Sequence, residues 1–246
     1  MTLLNKALTI AGSDTSGGAG MEADLKTMEE LGVFGMTALT CIVTMHPTTW
    51  EHSVYPLPMD LIEKQLVTAI EGVGINAMKT GMIGSPDLVE LVAETIDKYE
   101  LKNVVIDPVM VCKGCDLILA PDAAAAIKKL LMPRCDIITP NTVEAAYLAD
   151  MAEVKTVEQI KEAAQKIVAA GAKSVVIKGG ERLSDKAAID IFYDGQEFVE
   201  MAEPKIYPSY NHGAGCTFSA AITAGLANGM TMKDAVLQAK AFVTAA

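Results

Sequence analysis

The chain has little positive charge: 20 Lys and Arg stand against 31 Asp and Glu in 246 residues, a formal net charge of −11. Such a surface repels nucleic-acid backbones and anionic lipid, which sets both aside as partners. An anionic ligand would need local donors working against that field. No apolar stretch nears the roughly 18 residues that a membrane span needs. "KALTIAGSD" near the N-terminus lacks the ordered charged, apolar and small-residue regions of a secretory signal, and reads as a strand leading into a loop. Cysteines are few and odd in number, at five, which predicts free thiols in a reducing cytoplasm. Cys112 and Cys115 form a C-x-x-C pair, but no second ligand pair stands at zinc spacing. The pair also follows a strand, whereas a thioredoxin-like motif would open a helix. There is no G-x-x-x-x-G-K-[ST] phosphate loop, and no G-x-G-x-x-G in the context of a dinucleotide fold. Internal repeats, low-complexity tracts and flexible linkers are also missing, so residues 1–246 read as one domain.

What is present is 51% hydrophobic and 21% charged, the balance of a globular chain with a real core. Short apolar runs alternate with helical stretches. "KALTIAG", "MTALTCIVTM", "AMKTGMI", "NVVIDPVM", "CDIITP" and "SVVIKGG" are strand-like, and amphipathic segments separate most of them. That alternation predicts an α/β fold with a mostly parallel sheet covered by helices on both faces. From about Arg182 to Tyr210 two further strands flank Asp194-Gly195, a hairpin signal that predicts an antiparallel edge. The final segment, "TMKDAVLQAKAFVTAA", ends without a cap, which suggests that the natural protein continues. In such sheets ligands sit at the carboxyl ends of the strands. Here those loops hold "GSDTSGGAG", "MHPTTWEHS", "KTGMIGS", "DPVMVCKGCD", "TPNTVEA" and "KGGERL".

Several residues in these loops are suited to chemistry. Gly213, Ala214 and Gly215 allow a sharp turn at a helix N-terminus, where clustered N–H groups bind anions, although a plain packing turn reads the same. Cys216 follows in the first turn, where dipole and N–H groups should depress a thiol pKa and suit it to take a substrate proton. A small buried residue is the alternative. Asn141 and Glu144, three apart at a strand–helix junction, suit a hydrated Mg²⁺ or equally a helix capping box. Lys178 ends a buried strand before Gly179-Gly180 and could neutralise a phosphate. Asp14 and Asp24 flank the "TSGGAG" turn, which has no basic residue and suits a neutral polar ligand. Asp24 could equally be a first-turn dipole charge. Asp107, before Pro108, either helps manage a metal or bonds nearby N–H groups.

In order and spacing, "LTIAGSDTSGGAGMEADLKT", "MKTGMIGS", "VVIDPVMVCKG", "TPNTVEA", "VVIKGG" and "NHGAGCTFSAA" resemble the ribokinase-like vitamin kinases over essentially the whole chain. The matching branch joins hydroxymethylpyrimidine (phosphate) kinases of thiamine synthesis to bacterial pyridoxal kinases. Met45 stands where the pyrimidine kinases typically have glutamine, and Cys112-Lys113-Gly114 has the pyridoxal type. The resemblance therefore implies ATP-dependent phosphorylation of the 5′-hydroxymethyl group of pyridoxal, and of pyridoxine and pyridoxamine, in vitamin B6 salvage. A pyrimidine kinase, or an enzyme with both specificities, is the alternative. A non-catalytic vitamin-binding relative would lack site roles that are intact here.

Carried over by position, the resemblance makes Gly213, Ala214 and Gly215 the anion hole and Cys216 the base. Asn141, Glu144 and Lys178 would hold Mg²⁺ and the phosphates, with Glu144 and Asp107 towards the metal and Asp60 and Asp190 towards the nucleotide. Asp60 also reads as a plain helix cap. The pyridine ring would lie near Asp14, Ala19, Asp24, Met45, His52, Met82, Val109 and His212. Met45 and Met82 are adaptable enough to pack on its face, or are ordinary core. Cys112 would add reversibly to the pyridoxal aldehyde as a hemithioacetal, from a loop that closes over the ligand. Cys115 has no role in that pattern. ATP and Mg²⁺ are the implied cofactors, with a monovalent cation left open, and a cytoplasmic homodimer is the implied state.

Overall fold

A computed structural model describes residues 4–111, 118, 120–180, 183, 187–207 and 211–246. Its elements, in chain order, are β1 (Lys6–Asp14), α1 (Gly20–Glu30), β2 (Phe34–Met45), β3 (His52–Pro56), α2 (Met59–Val67), β4 (Ala77–Thr80), α3 (Pro86–Lys98) and β5 (Val104–Ile106). They continue with α4 (Pro121–Ala126), β6 (Ile137–Ile138), α5 (Thr142–Leu148), α6 (Val157–Ala169), β7 (Val175–Lys178), β8 (Ala187–Tyr193), β9 (Phe198–Pro204), α7 (Ala214–Ala227) and α8 (Met232–Ala245).

The nine strands form one sheet in the order β3-β2-β1-β4-β5-β6-β7-β8-β9. The six central strands run parallel, β3 is antiparallel on one side, and β8 and β9 are antiparallel on the other. Side chains alternate between faces, so each strand feeds two cores. Leu8, Ile10, Met78, Ile106, Ile138 and Ile177 pack under α2 to α6. Ala7, Ala77, Val105, Ile137 and Val176 pack under α1, α7 and α8. Burial on both faces explains why these strands read as unbroken apolar runs.

The mostly parallel sheet and the Asp194-Gly195 hairpin match the sequence reading. The strand β3 does not, since "HPTTWEHSVYP" reads as a loop. All five β3 residues are exposed, so no apolar alternation marks it. The first core helix after the hairpin, α7, is built from small residues, and every one from Phe218 to Ala227 is buried against the sheet and α1. Among the described residues, no helix is long and apolar enough to cross a membrane.

Candidate active site

The parallel strands bring their carboxyl ends to one edge of the sheet. Along that edge lie Asp14 from β1, Met45 from β2, Met82 just beyond β4, Asp107 just beyond β5, Asn141 just beyond β6 and Lys178 ending β7. The N-terminus of α7 arrives at the same edge. Two glycine turns meet there: the 17–20 turn before α1 and the 211–213 turn before α7. Gly213 has φ +81°, and a Cβ on it would overlap the Gly18 carbonyl oxygen, so the backbones touch only because both residues lack side chains. His212 Nε2 lies 2.8 Å from Asp14 Oδ2, which ties the two turns together. Asp14 also accepts from the Ser16 and Ala19 N–H groups at 2.8 and 2.9 Å. Burial works to raise the Asp14 carboxyl, but the hydrogen bonds from Ser16, His212 and Ala19 outweigh it and hold it below the ordinary range.

Cys216 is half-buried in the first turn of α7, with the Gly20 N–H directed at its sulfur. Its pKa corrects the sequence expectation. Burial pushes the thiol up, Asp107 and Asp24 push it further, and the opposing pull of Lys79 and the Gly20 N–H is not enough to depress it. A helix N-terminus lowers a thiol pKa only where desolvation and nearby carboxylates do not outweigh it.

The phosphate end of the edge is a charge network. Lys178 Nζ is 3.2 Å from Asp107 Oδ1 and reaches the backbone of Gly215, where a Cβ would lie 3.4 Å from it. Burial works against the Lys178 charge, but Asp107 and Glu144 hold its pKa above the usual lysine value. Asp107 Oδ2 accepts from the Ser219 hydroxyl, which also donates to the Cys216 carbonyl, so the carboxylate is strapped to α7. Asn141 caps α5 and accepts from the Val143 and Glu144 N–H groups, and Glu144 Oε2 accepts from the Asn141 N–H in return. The capping-box reading is therefore realised. Glu144 Oε1 accepts from the Met110 N–H across the edge, and burial raises its carboxyl pKa despite Lys178 nearby.

These donors bear on Mg²⁺. They are oxygens only, and among the described residues no group of three or more His, Cys, Asp or Glu side chains could hold a metal unaided. Two carboxylates already bonded to protein groups fit an ion that keeps its waters and relies on nucleotide phosphates, as Mg²⁺ does.

At the ring end, Met45, Met82 and Val109 are half-buried, and Ala19 forms the cap of α1. His52 is exposed and pairs with Met45 across the edge hairpin. A cavity of about 170 Å³ opens here between Thr15, Ser16, Met45, His46, Pro47 and Trp50. A larger hollow of about 370 Å³, between β2 and α2, holds none of these groups.

Three expectations need revision within this chain. Asp60 is on α2, which packs over β2 near the β3 end of the sheet, whereas Asn141, Lys178 and Asp190 lie towards the other end, at β6 to β8. It is exposed and pairs with Lys64, and Pro58, not Asp60, caps the helix. Asp190 is buried and spends Oδ1 on the Gly179 and Gly180 N–H groups and Oδ2 on Lys240, so it shapes the turn after Lys178 from inside. Asp24 is wholly buried against Lys79, behind the ring position rather than facing it. Cys112 and Cys115 lie outside the described residues. Sequence reasoning missed Lys79, Ser219 and Lys240. The visible signal was a charged or hydroxyl residue inside an otherwise apolar run, most plainly Lys79 in "AMKTGMI".

Glycine turns at two helix N-termini and a Lys–Asp–Glu network at the strand ends give this edge the donors to receive an anionic group. The chain belongs to the phosphomethylpyrimidine kinase family, whose model matches residues 14–246. It is 53% identical to a pyridoxine kinase of Bacillus subtilis (strain 168), covering 99% of this chain and 90% of that protein. A hydroxymethylpyrimidine/phosphomethylpyrimidine kinase of the same organism is 43% identical, over 97% of this chain and 87% of that one. The structure of the pyridoxal kinase from Staphylococcus aureus in complex with AMP-PCP and pyridoxal superposes with a TM-score of 0.92 at 48% identity, covering 98% of this chain and 87% of that one.

Proposed function

We propose that this protein transfers the γ-phosphoryl group of ATP to the 5′-hydroxymethyl oxygen of pyridoxal, giving pyridoxal 5′-phosphate. The observation that carries this reading is the meeting of Cys216, the α7 N-terminus and Lys178 at one point of the sheet edge, beside a cavity bounded by Met45. The N–H groups at the start of α7 and the Lys178 ammonium receive the charge of the transferring group, where fixed donors need no reorganisation. Mg²⁺, when bound with the nucleotide, would shield phosphate charge, and Asp107, Glu144 and Asn141 are the residues that would hold its water shell. Cys216 in its thiolate form takes the proton of the substrate hydroxyl as the oxygen attacks phosphorus. Asp14 and His212 fix the turn against which the ring lies.

Met45 favours pyridoxal over a hydroxymethylpyrimidine, because a thioether packs on a ring face but offers no amide to an aminopyrimidine edge. The same reading includes a reducing cytoplasm, in which Cys41, Cys135 and Cys216 stay free. It also includes a homodimer, for which Ile42, Val54 and Tyr55 on the exposed β2–β3 hairpin supply apolar surface. The test is incubation of the purified protein with ATP–Mg²⁺ and pyridoxal, with the product identified by mass and by its phosphorus resonance. A phosphate ester at the 5′ oxygen with ADP released one for one supports the reading. ADP release without that ester overturns it.

A further inference from the structure

On the sheet face covered by α1 and α7 lies an ion pair that no step above uses. Lys79 and Asp24 are fully buried, with Lys79 Nζ 2.9 and 2.8 Å from the two carboxylate oxygens. The Thr9 hydroxyl closes the cluster, donating to Asp24 Oδ2 at 2.6 Å. Lys79 interrupts the apolar face that Ala7, Ala77 and Val105 present to α1 and α7. Asp24 comes from α1 and Cys216 from α7, each near the N-terminus of its helix, where the two helices pack together.

Two charges this deep are costly, and well-packed apolar residues of similar volume commonly serve stability as well. Stability alone therefore does not account for the pair. Its surroundings do suggest a use. Burial works against the Lys79 charge, yet Asp24, Cys216 and Asp107 hold its pKa above the usual lysine value. On the Cys216 thiol, burial is the largest influence and raises it. Lys79 comes next and pulls it down, while Asp107 and Asp24 push it up. Among the described residues, Lys178 also acts on this sulfur.

We propose that Lys79 is a positioning residue for Cys216: its ammonium, fixed by Asp24 and Thr9, stabilises the thiolate, the form able to take the substrate proton. In that transfer the substrate O–H bond breaks, an S–H bond forms, and the freed oxygen electron pair makes the new bond to phosphorus. The inference rests on Cys216 being the base, but its test does not need turnover. The rate of iodoacetamide alkylation at Cys216, read peptide by peptide by mass spectrometry on the native protein at neutral pH, reports thiolate content directly. Asp24→Asn alone would leave Lys79 buried without its counter-ion and discharge it, so the pair is removed together. Asp24→Asn with Lys79→Met, or with Lys79→Gln as a neutral hydrogen-bonding pair, takes away the pull of Lys79 and the smaller push of Asp24, and alkylation should slow by about threefold, the equivalent of about half a pKa unit. Lys79→Arg keeps a cation against Asp24 and should alkylate at the wild-type rate.

A purely structural pair would act through loosening and expose the sulfur, so alkylation would rise in the neutral-pair variants. A rise, or an unchanged rate in either folded neutral-pair variant, overturns the proposal. Slower alkylation together with full turnover in Cys216→Ala would refute the base assignment and leave the charge coupling standing. Unchanged alkylation with a dead Cys216→Ala would refute the coupling alone.

Discussion

Replacing Gly213 by alanine isolates the close approach on which the site depends. Gly213 has φ +81°, and the added Cβ would overlap the Gly18 carbonyl oxygen, 2.8 Å from its carbon and 3.1 Å from Ala19 Cα. Gly229 is a matched control. It has φ +82° at the far end of α7, and a Cβ there meets nothing within 4 Å. Both substitutions pay the left-handed backbone cost, about 1–2 kcal/mol. Gly213→Ala must also force the two turns apart, an overpacking cost of about 1–3 kcal/mol. For a chain of this size each 1 kcal/mol lowers Tm by about 2–4 °C, so Gly213→Ala should melt about 2–12 °C below Gly229→Ala. Separation of the turns would draw the Gly20 N–H away from the Cys216 sulfur and His212 away from Asp14. A misplacement of that kind can cost about 10²-fold in kcat. The assay is calorimetric Tm and steady-state kinase activity for both variants. Equal Tm and equal kcat in the two would refute the claim that this contact organises the site.

Other outcomes follow from the same geometry. Cys216→Ala should keep pyridoxal and AMP-PCP binding by calorimetry while kcat falls about 10²–10⁴-fold, and turnover within about threefold of wild type would contradict its role as base. Because the Cys216 pKa is raised, kcat should continue to climb as pH rises above neutrality; a flat profile would count against the thiolate. Asp190→Ala strands Lys240 in the interior, which should cost about 3–5 kcal/mol in urea unfolding, and a change under about 1 kcal/mol would contradict the buried pairing. The Asp14 carboxyl is held below its ordinary value of 3.8, so its contribution is complete above that pH and is lost as pH falls through the lower folded value. The stability gap between wild type and Asp14→Asn should therefore be constant near neutrality and close in acid; a gap that widens in acid would reverse the sign.

The parallel sheet was legible because strands buried on both faces must be apolar throughout, and the late hairpin because Asp194-Gly195 satisfies a tight turn. The edge strand β3 was not, since an exposed strand held by backbone bonds to β2 leaves no pattern in its side chains. At the site, Lys178, Asp107, Asn141 and Glu144 were placed at one edge by the rule of strand ends alone. Their pairing was hidden, because Lys178 at the end of β7 reaches past β6 to Asp107 beyond β5, and that reach is set by side-chain placement rather than by strand order. Asp60 read as a nucleotide neighbour although its helix packs over β2 near the far end of the sheet, because strand order departs from chain order at β1 to β3. Cys216 shows the other limit: its helix position was readable, but the sign of its pKa shift depends on burial and on Asp107 and Asp24, which only the packed structure brings near.

The most direct test of the central claim is a side-by-side measurement of kcat/KM with ATP–Mg²⁺ for pyridoxal and for hydroxymethylpyrimidine. A site with Met45 at the ring and Cys216 at the hydroxymethyl group should prefer pyridoxal, by about tenfold or more if one well-placed ring contact is worth about 1.4 kcal/mol. Equal values would indicate an enzyme of both specificities, and a preference for the pyrimidine would contradict the account.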